Sequence, residues 1–168
     1  MHGPESTIRV PINRNGIGDA LAKIPQGVFV LTASHDTRIR GLMVSWVQQA
    51  SFEPPMIVVA LRKGRDIVPI IHNAHAFAIN QIAPDDKLLI KRFGEHPTPD
   101  ERLLGLEVIR KTTGAPILVR AMAYLDCELV RHIDVEADHD IYVGAILDGA
   151  VLRHADVPVH LRDNGFKY

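Results

Sequence analysis

Arg62-Lys63-Gly64-Arg65 places three cations within four residues, and Asp66 follows at what reads as the start of a helix. Free backbone N–H groups at a helix start add to a positive field, so this loop is equally a solvated turn or a seat for an anion such as a phosphate. The hydroxyls of Ser45 and Ser51 are likewise either ordinary strand residues or ligand contacts. Nine histidines invite a metal reading, but only His72 and His75 share a local spacing, H-x-x-H, with no acidic or thiol partner nearby. Structural zinc sites cluster Cys and His ligands, so no metal is assigned. Cys127 falls on the inward side of an alternating segment, which suits a small buried hydrophobe better than a nucleophile. Gly16-Ile17-Gly18 looks like a dinucleotide fingerprint but lacks its third glycine and any second βα unit, and it is set aside.

The elements that must position these groups are mostly strands. Gly27–Ala33 and the long segment from Arg40 to Pro55 read as two strands joined by the polar link Ser34–Arg38, a hairpin signal. Met56–Leu61 is an unbroken apolar strand leading into the basic loop. Asp66–Ala74 reads as a short helix capped by Asp66, with Pro69 in its first turn. Ala76–Ile82 is strand-like. Pro84–Phe93 is a helix with acids at its start, Lys91 and Arg92 at its end and Gly94 after it, its inward face being Leu88, Leu89 and Phe93. Thr98-Pro99-Asp100-Glu101 has the form of a capping box for one helical turn ended by Gly105. Ala123–Leu129 alternates as a half-buried strand, with Ala123, Leu125, Cys127 and Leu129 inward. His139–Leu152 reads as a hairpin turning at Asp148-Gly149. Earlier in the chain, Thr7–Ile12 reads as an edge strand and Ile17–Ile24 as a helix. The tail from Val157 to Tyr168 ends in two aromatics and is expected to pack on something. About seven strands with short helices inserted predict a mainly β antiparallel barrel.

Composition narrows the classes further. The chain has 168 residues, 46% of them hydrophobic, and a net charge of −1. No repeat or linker is visible, so residues 1–168 read as one domain. With no basic tract there is no footprint for nucleic acid, and no apolar run has the length of a membrane span. A single cysteine and an N-terminus without a basic, then apolar, leader suit the cytoplasm.

The ordered set Gly27-Val28-x-Val30-x-Thr32-Ala33, Gly41-x-x-x-Ser45-Trp46, Ala50-Ser51-Phe52-Glu53-Pro54-Pro55, Phe77-Ala78-Ile79-Asn80, Lys91-Arg92-Phe93-Gly94 and Asp138-His139-Asp140-Ile141-Tyr142-Val143-Gly144 resembles the flavin reductase-like family of FMN-binding split barrels. The match runs from about residue 17 to 152. The Ser-Trp version followed by Gln-Ala-Ser-Phe is most similar to the reductase modules of cyanobacterial diflavin flavoproteins. Two departures stand out. Trp46 occupies a position where many members carry a small Ser or Cys, and Ala137 replaces the usual glycine before Asp138-His139.

The resemblance implies a six- or seven-stranded Greek-key split barrel that forms a homodimer with FMN (or FAD) at the interface and draws electrons from NADH or NADPH. Met43, Val44, Ser45 and Trp46 would lie along the isoalloxazine ring, with Ser51 nearby, and Arg62, Lys63 and Arg65 would hold the phosphate. His139 would approach the flavin and orient the nicotinamide, hydride passing to the ring N5 with the protein positioning the reactants and excluding water. Two other readings use the same scaffold: an electron-transfer flavoprotein that keeps its FMN and passes electrons to a partner protein or ferric complex, and a non-catalytic flavin- or haem-binding module.

Overall fold

The computed structural model describes residues 13–94 and 98–167. The expected edge strand at Thr7–Ile12 lies outside them. The chain forms two compact units, one spanning Gln26–His160 and the other joining residues at the two ends of the chain.

The larger unit is built on a seven-stranded antiparallel sheet. Its strands are β1 (Phe29–His35), β2 (Arg38–Val44), β3 (Val47–Ser51), β4 (Met56–Arg62), β5 (Ala76–Gln81), β8 (Ala123–Asp134) and β9 (His139–Val151), in the order β2-β1-β5-β8-β9-β4-β3. A separate hairpin, β6 (Val108–Arg110) and β7 (Pro116–Leu118), lies between β5 and β8 in sequence. The two ends of the strand order, β2 and β3, are consecutive in the chain with only Ser45 and Trp46 between them. A sheet whose two edges are joined by two residues must curl round to bring those edges together, which makes the expected barrel. The crossing also corrects the sequence reading of one strand from Arg40 to Pro55. The chain leaves β1 at Val44 and joins β4 at Trp46, whose carbonyl accepts from the Ala60 N–H at 3.0 Å.

Apolar alternation fixes which face is inside. Ile57, Val59 and Leu61 of β4 and Tyr142 of β9 point into a core shared with Leu31, Phe77, Ile79 and Cys127. The Cys127 thiol is fully buried and burial pushes its pKa up to about 12, so the inward placement read from the sequence holds. Gly144 permits the tightest approach there, since a Cβ at this position would stand 2.6 Å from Phe77 Cζ and 3.0 Å from Cys127 Cβ. Asn80, fully buried on β5, ties three elements together. Its amide donates to Val30 O at 3.0 Å and Thr32 Oγ1 at 2.9 Å, and its Oδ1 accepts from Leu118 N at 2.8 Å.

Several local expectations are revised. Helix α2 covers Val68–Ala74 and begins after Ile67 without a side-chain cap, because Asp66 is held instead by Arg40 Nε at 3.0 Å. Helix α3 spans Lys87–Gly94; Asp86 accepts from the Leu89 N–H, Leu89 and Phe93 face inward, and Leu88 is turned out to 43% exposure. Thr98–Gly105 forms successive turns rather than a helical turn. Asp148-Gly149 is not a hairpin turn but part of β9, opposite Asp126 and Leu125, and the reversal falls at residues 135–138. The supposedly outward Tyr124 and Asp126 are buried too, Tyr124 packing with Ile117 of β7 and Asp126 accepting from the Thr113 N–H at 2.9 Å.

In the smaller unit, helix α1 (Arg14–Leu21) starts three residues before the expected Ile17 and is capped by Asn13. Gly16 and Gly18 are therefore helical residues, not a phosphate loop. The tail packs as expected, with Arg14 lying 4.1 Å over the Phe166 ring.

Candidate active site at the strand crossing

The β4–β9 register pairs Arg62 with His139, Ala60 with Ile141 and Val58 with Val143. Residues paired across a sheet share a face and alternate with the buried set, so these six lie on the outer face of the barrel. Trp46, hydrogen-bonded to Ala60 through its carbonyl, enters that face at the same level. Its indole packs on the His139 imidazole with ring centroids 4.6 Å apart and planes tilted by 36°. His139 is only 9% exposed, and its Nδ1 lies 2.9 Å from Asp138 Oδ1. The hydrogen bond to His139 holds the Asp138 carboxyl below its ordinary pKa. Trp46, His139 and Asp138 thus form a continuous file of indole, imidazole and carboxylate, with Arg62 beside it.

The three expected cations separate. Arg62 ends β4 on the outer face. Lys63 turns to the inner rim, where its Nζ lies 2.8 Å from Asp134 Oδ1 and 3.4 Å from Asp140 Oδ1. The Asp134 hydrogen bond raises the lysine pKa, against a smaller desolvation effect, and the Asp134 carboxyl is lowered in turn. Gly64 takes a positive φ of 78°, with open space where a side chain would stand. Neither Arg62 nor Arg65 forms an ion pair among the described residues.

The remaining expected contacts spread along the crossing. Val44 is buried in the core at 7% exposure, so only its main chain can face a ligand. Met43 packs toward Phe93 and α3. Ser45 is half-buried beside Trp46, whereas Ser51 closes β3, paired with Met56, about 20 Å further along by strand rise.

Sequence reasoning passed over the acids and the second histidine behind this file. His132 Nε2 lies 2.9 Å from Asp140 Oδ2, and its ring stacks on Tyr142 at 4.6 Å with planes 6° apart. Asp134 and Asp140 stand directly opposite in the β8–β9 register. Six residues of separation across an unassigned turn carried no signal that they pair.

Residues that could hold a flavin fit its chemistry. The two guanidiniums beside an open glycine suit a phosphate, and the half-buried indole packed on the buried imidazole suits a planar ring. Diflavin flavoprotein A 1 of Synechocystis sp. is 31% identical over 152 residues, covering 89% of this chain and 26% of that protein. The chain spans about a quarter of the length of such relatives. Among solved structures, flavin reductase HpaC complexed with NADP+ superposes with a TM-score of 0.73 at 27% identity, covering 89% of this chain and 92% of that one. The NADH:FAD oxidoreductase SgcE6 of Streptomyces globisporus C-1027 gives 0.78 at 19% identity, covering 94% and 95%. Since the family description "flavin reductase like domain" matches residues 21–167, this chain belongs to that family.

Proposed function

We propose that this protein is an NAD(P)H-dependent flavin oxidoreductase binding FMN, with FAD as the other candidate flavin. The carrying observation is the Trp46–His139 pair seated on the outer face at the strand crossing, with Arg62 the direct cross-strand partner of His139. Main-chain groups of Met43, Val44 and Ser45 would run along the flavin ring and the Trp46 indole would flank it. Arg62 and Arg65 would hold the phosphate, and Ser51 would lie toward the far end of the crossing. When bound, the flavin supplies the two-electron chemistry, accepting a hydride from a reduced nicotinamide. His139, fixed on one side by Trp46 and on the other by Asp138, would orient the nicotinamide. No side chain at the site needs to act as acid or base for that transfer. The half-exposed apolar residues Val58, Ile141 and Val143 on the same face suit a homodimer that closes over the site and excludes water. A nicotinamide donor and the buried, reduced thiol of Cys127 suit the cytoplasm, and among the described residues no helix is long and apolar enough to cross a membrane.

One observation favours a second reading. The indole already packed on His139 narrows access for a freely exchanging flavin, which suits an FMN retained as a prosthetic group and electrons passed to a partner protein. Anaerobic mixing of flavin-loaded protein with NADH or NADPH tests the main reading. Bleaching of the visible flavin band supports it, and a band that persists with both nucleotides refutes it. Dilution of the reduced complex separates the two fates: release of free flavin marks a reductase, retention an electron-transfer protein.

A further inference from the structure

Both chain neighbours of His139 are gripped by one residue. The Lys63 N–H donates to Asp138 O at 2.9 Å, and Lys63 Nζ lies 3.4 Å from Asp140 Oδ1. The same ammonium reaches Asp134 at 2.8 Å on the opposing strand, and Asp134–Asp140 is the last register pair before the β8–β9 turn. Lys63 therefore clamps the end of β4 to both sides of the hairpin from which His139 starts. The Asp140 side chain is 11% exposed; its Oδ2 is taken by His132, and its buried Oδ1 has no hydrogen bond among the described residues, which leaves the Lys63 ammonium as its counter-charge.

We propose that Lys63 is a positioning residue for His139, acting through the start of β9 and not by holding a cofactor phosphate. The proposal rests on the reading above that His139 serves the nicotinamide. Two physical reasons support it. The Lys63 side chain reaches Asp134 and Asp140 while Arg62 and His139 occupy the outer face. Moving the ammonium out to a phosphate would leave the Asp140 carboxylate uncompensated near the core, a strongly unfavourable change. Without the ammonium, the Asp134–Asp140 pair at the start of β9 loses its side-chain tie to β4, only the main-chain ladder holds it, and the imidazole can shift on Trp46.

The experiment compares wild type, Lys63→Met and Lys63→Arg as full-length chains, checked for folding by circular dichroism. Affinity is measured for FMN and for riboflavin, which has the same ring without the phosphate, and donor kinetics are measured with NADH and NADPH. Lys63→Met is expected to leave both flavin affinities within about twofold while lowering kcat/KM for the donor about ten- to a hundredfold, the scale expected of an ångström-sized misplacement. Lys63→Arg is expected to restore most of that loss. FMN affinity that falls about tenfold while riboflavin affinity is unchanged would show a phosphate contact and overturn the proposal. Donor kinetics equal to wild type would overturn it equally. A readout independent of turnover is the emission of Trp46, the only tryptophan. Because His139 packs on it, Lys63→Met should alter its intensity even without ligand, and an unchanged spectrum counts against the clamp. If the wild type binds flavin but reacts with neither nucleotide, the functional reading fails while this emission test of the clamp still stands. Should Lys63→Met not fold, Asp134→Ala removes one anchor and keeps the Asp140 contact, with a smaller effect of the same kind expected.

Discussion

Replacing Asn80 by leucine removes the side chain that pins the β6–β7 hairpin to the barrel while keeping nearly the same shape. Two donated hydrogen bonds, to Val30 O and Thr32 Oγ1, disappear, and the buried Leu118 N–H loses its acceptor. Two ordinary bonds at about 1 kcal/mol each, with about 1–3 kcal/mol for the orphaned N–H, put the loss at about 3–5 kcal/mol. For a chain of this size that is a fall in Tm of about 6–20 °C. Reversible urea unfolding followed by circular dichroism measures it directly. Thr32→Val is the control. It removes the hydroxyl that accepts from Asn80 and donates to Pro116 O, but leaves Leu118 satisfied, so a smaller loss of about 1–2 kcal/mol is expected. If Asn80→Leu lowers stability by less than about 1 kcal/mol, Asn80 does not anchor the hairpin as described. Because the Asn80 network lies on the far side of β1 from the strand crossing, flavin affinity of the folded variant should match wild type.

Arg62→Ala and Arg65→Ala should each weaken FMN by about 1–3 kcal/mol, the range for a hydrogen bond to a charged group, and leave riboflavin affinity unchanged; equal losses for both ligands would place the phosphate elsewhere. Gly144→Ala should destabilise by about 1–3 kcal/mol, because the new methyl meets Phe77 and Cys127 within the packed core, and a neutral result in thermal unfolding would contradict that packing. Burial lowers the His72 pKa below its ordinary value of 6.5, aided by His132 and His75, so the unfolded chain takes up this proton first. Stability should then decline as pH falls below about 6.5, and His72→Gln should flatten that decline in denaturant midpoints measured across pH. With its pKa near 12, Cys127 should resist alkylation in the native protein at neutral pH and react on unfolding; rapid native labelling would mean that the thiol is accessible.

The barrel was legible in the sequence because its strands carry their own signals. The runs Gly27–Ala33, Met56–Leu61 and Ala76–Ile82 are mostly apolar, and each became a strand within two residues of its expected limits. What failed was punctuation. Asp148-Gly149 has the composition of a turn, but the ladder to β8 continues through it, and only the partner strand could reveal that. Ser45-Trp46 has no turn composition, yet the chain changes neighbours there, because closing a barrel is decided by the whole sheet and not by local residues. The same limit applied to the site. The stretch of Met43 to Trp46 and His139 was visible as motif, whereas the division of Arg62 from Lys63, and the Asp134–Lys63–Asp140 clamp, arise from register alone. The β6–β7 hairpin went unread because three-residue strands flanking Thr112-Thr113-Gly114 are too short to show a period.

The central claim is that a flavin sits at the strand crossing beside Trp46 and His139. Titrating the protein with FMN while recording both the emission of Trp46 and that of the flavin tests it most directly, since no other tryptophan contributes. The expected result is quenching of Trp46 that saturates at the same FMN concentration as the flavin signal, with a loss of quenching affinity in Arg65→Ala. Saturable FMN binding with Trp46 emission unchanged would place the flavin away from the crossing and contradict the site.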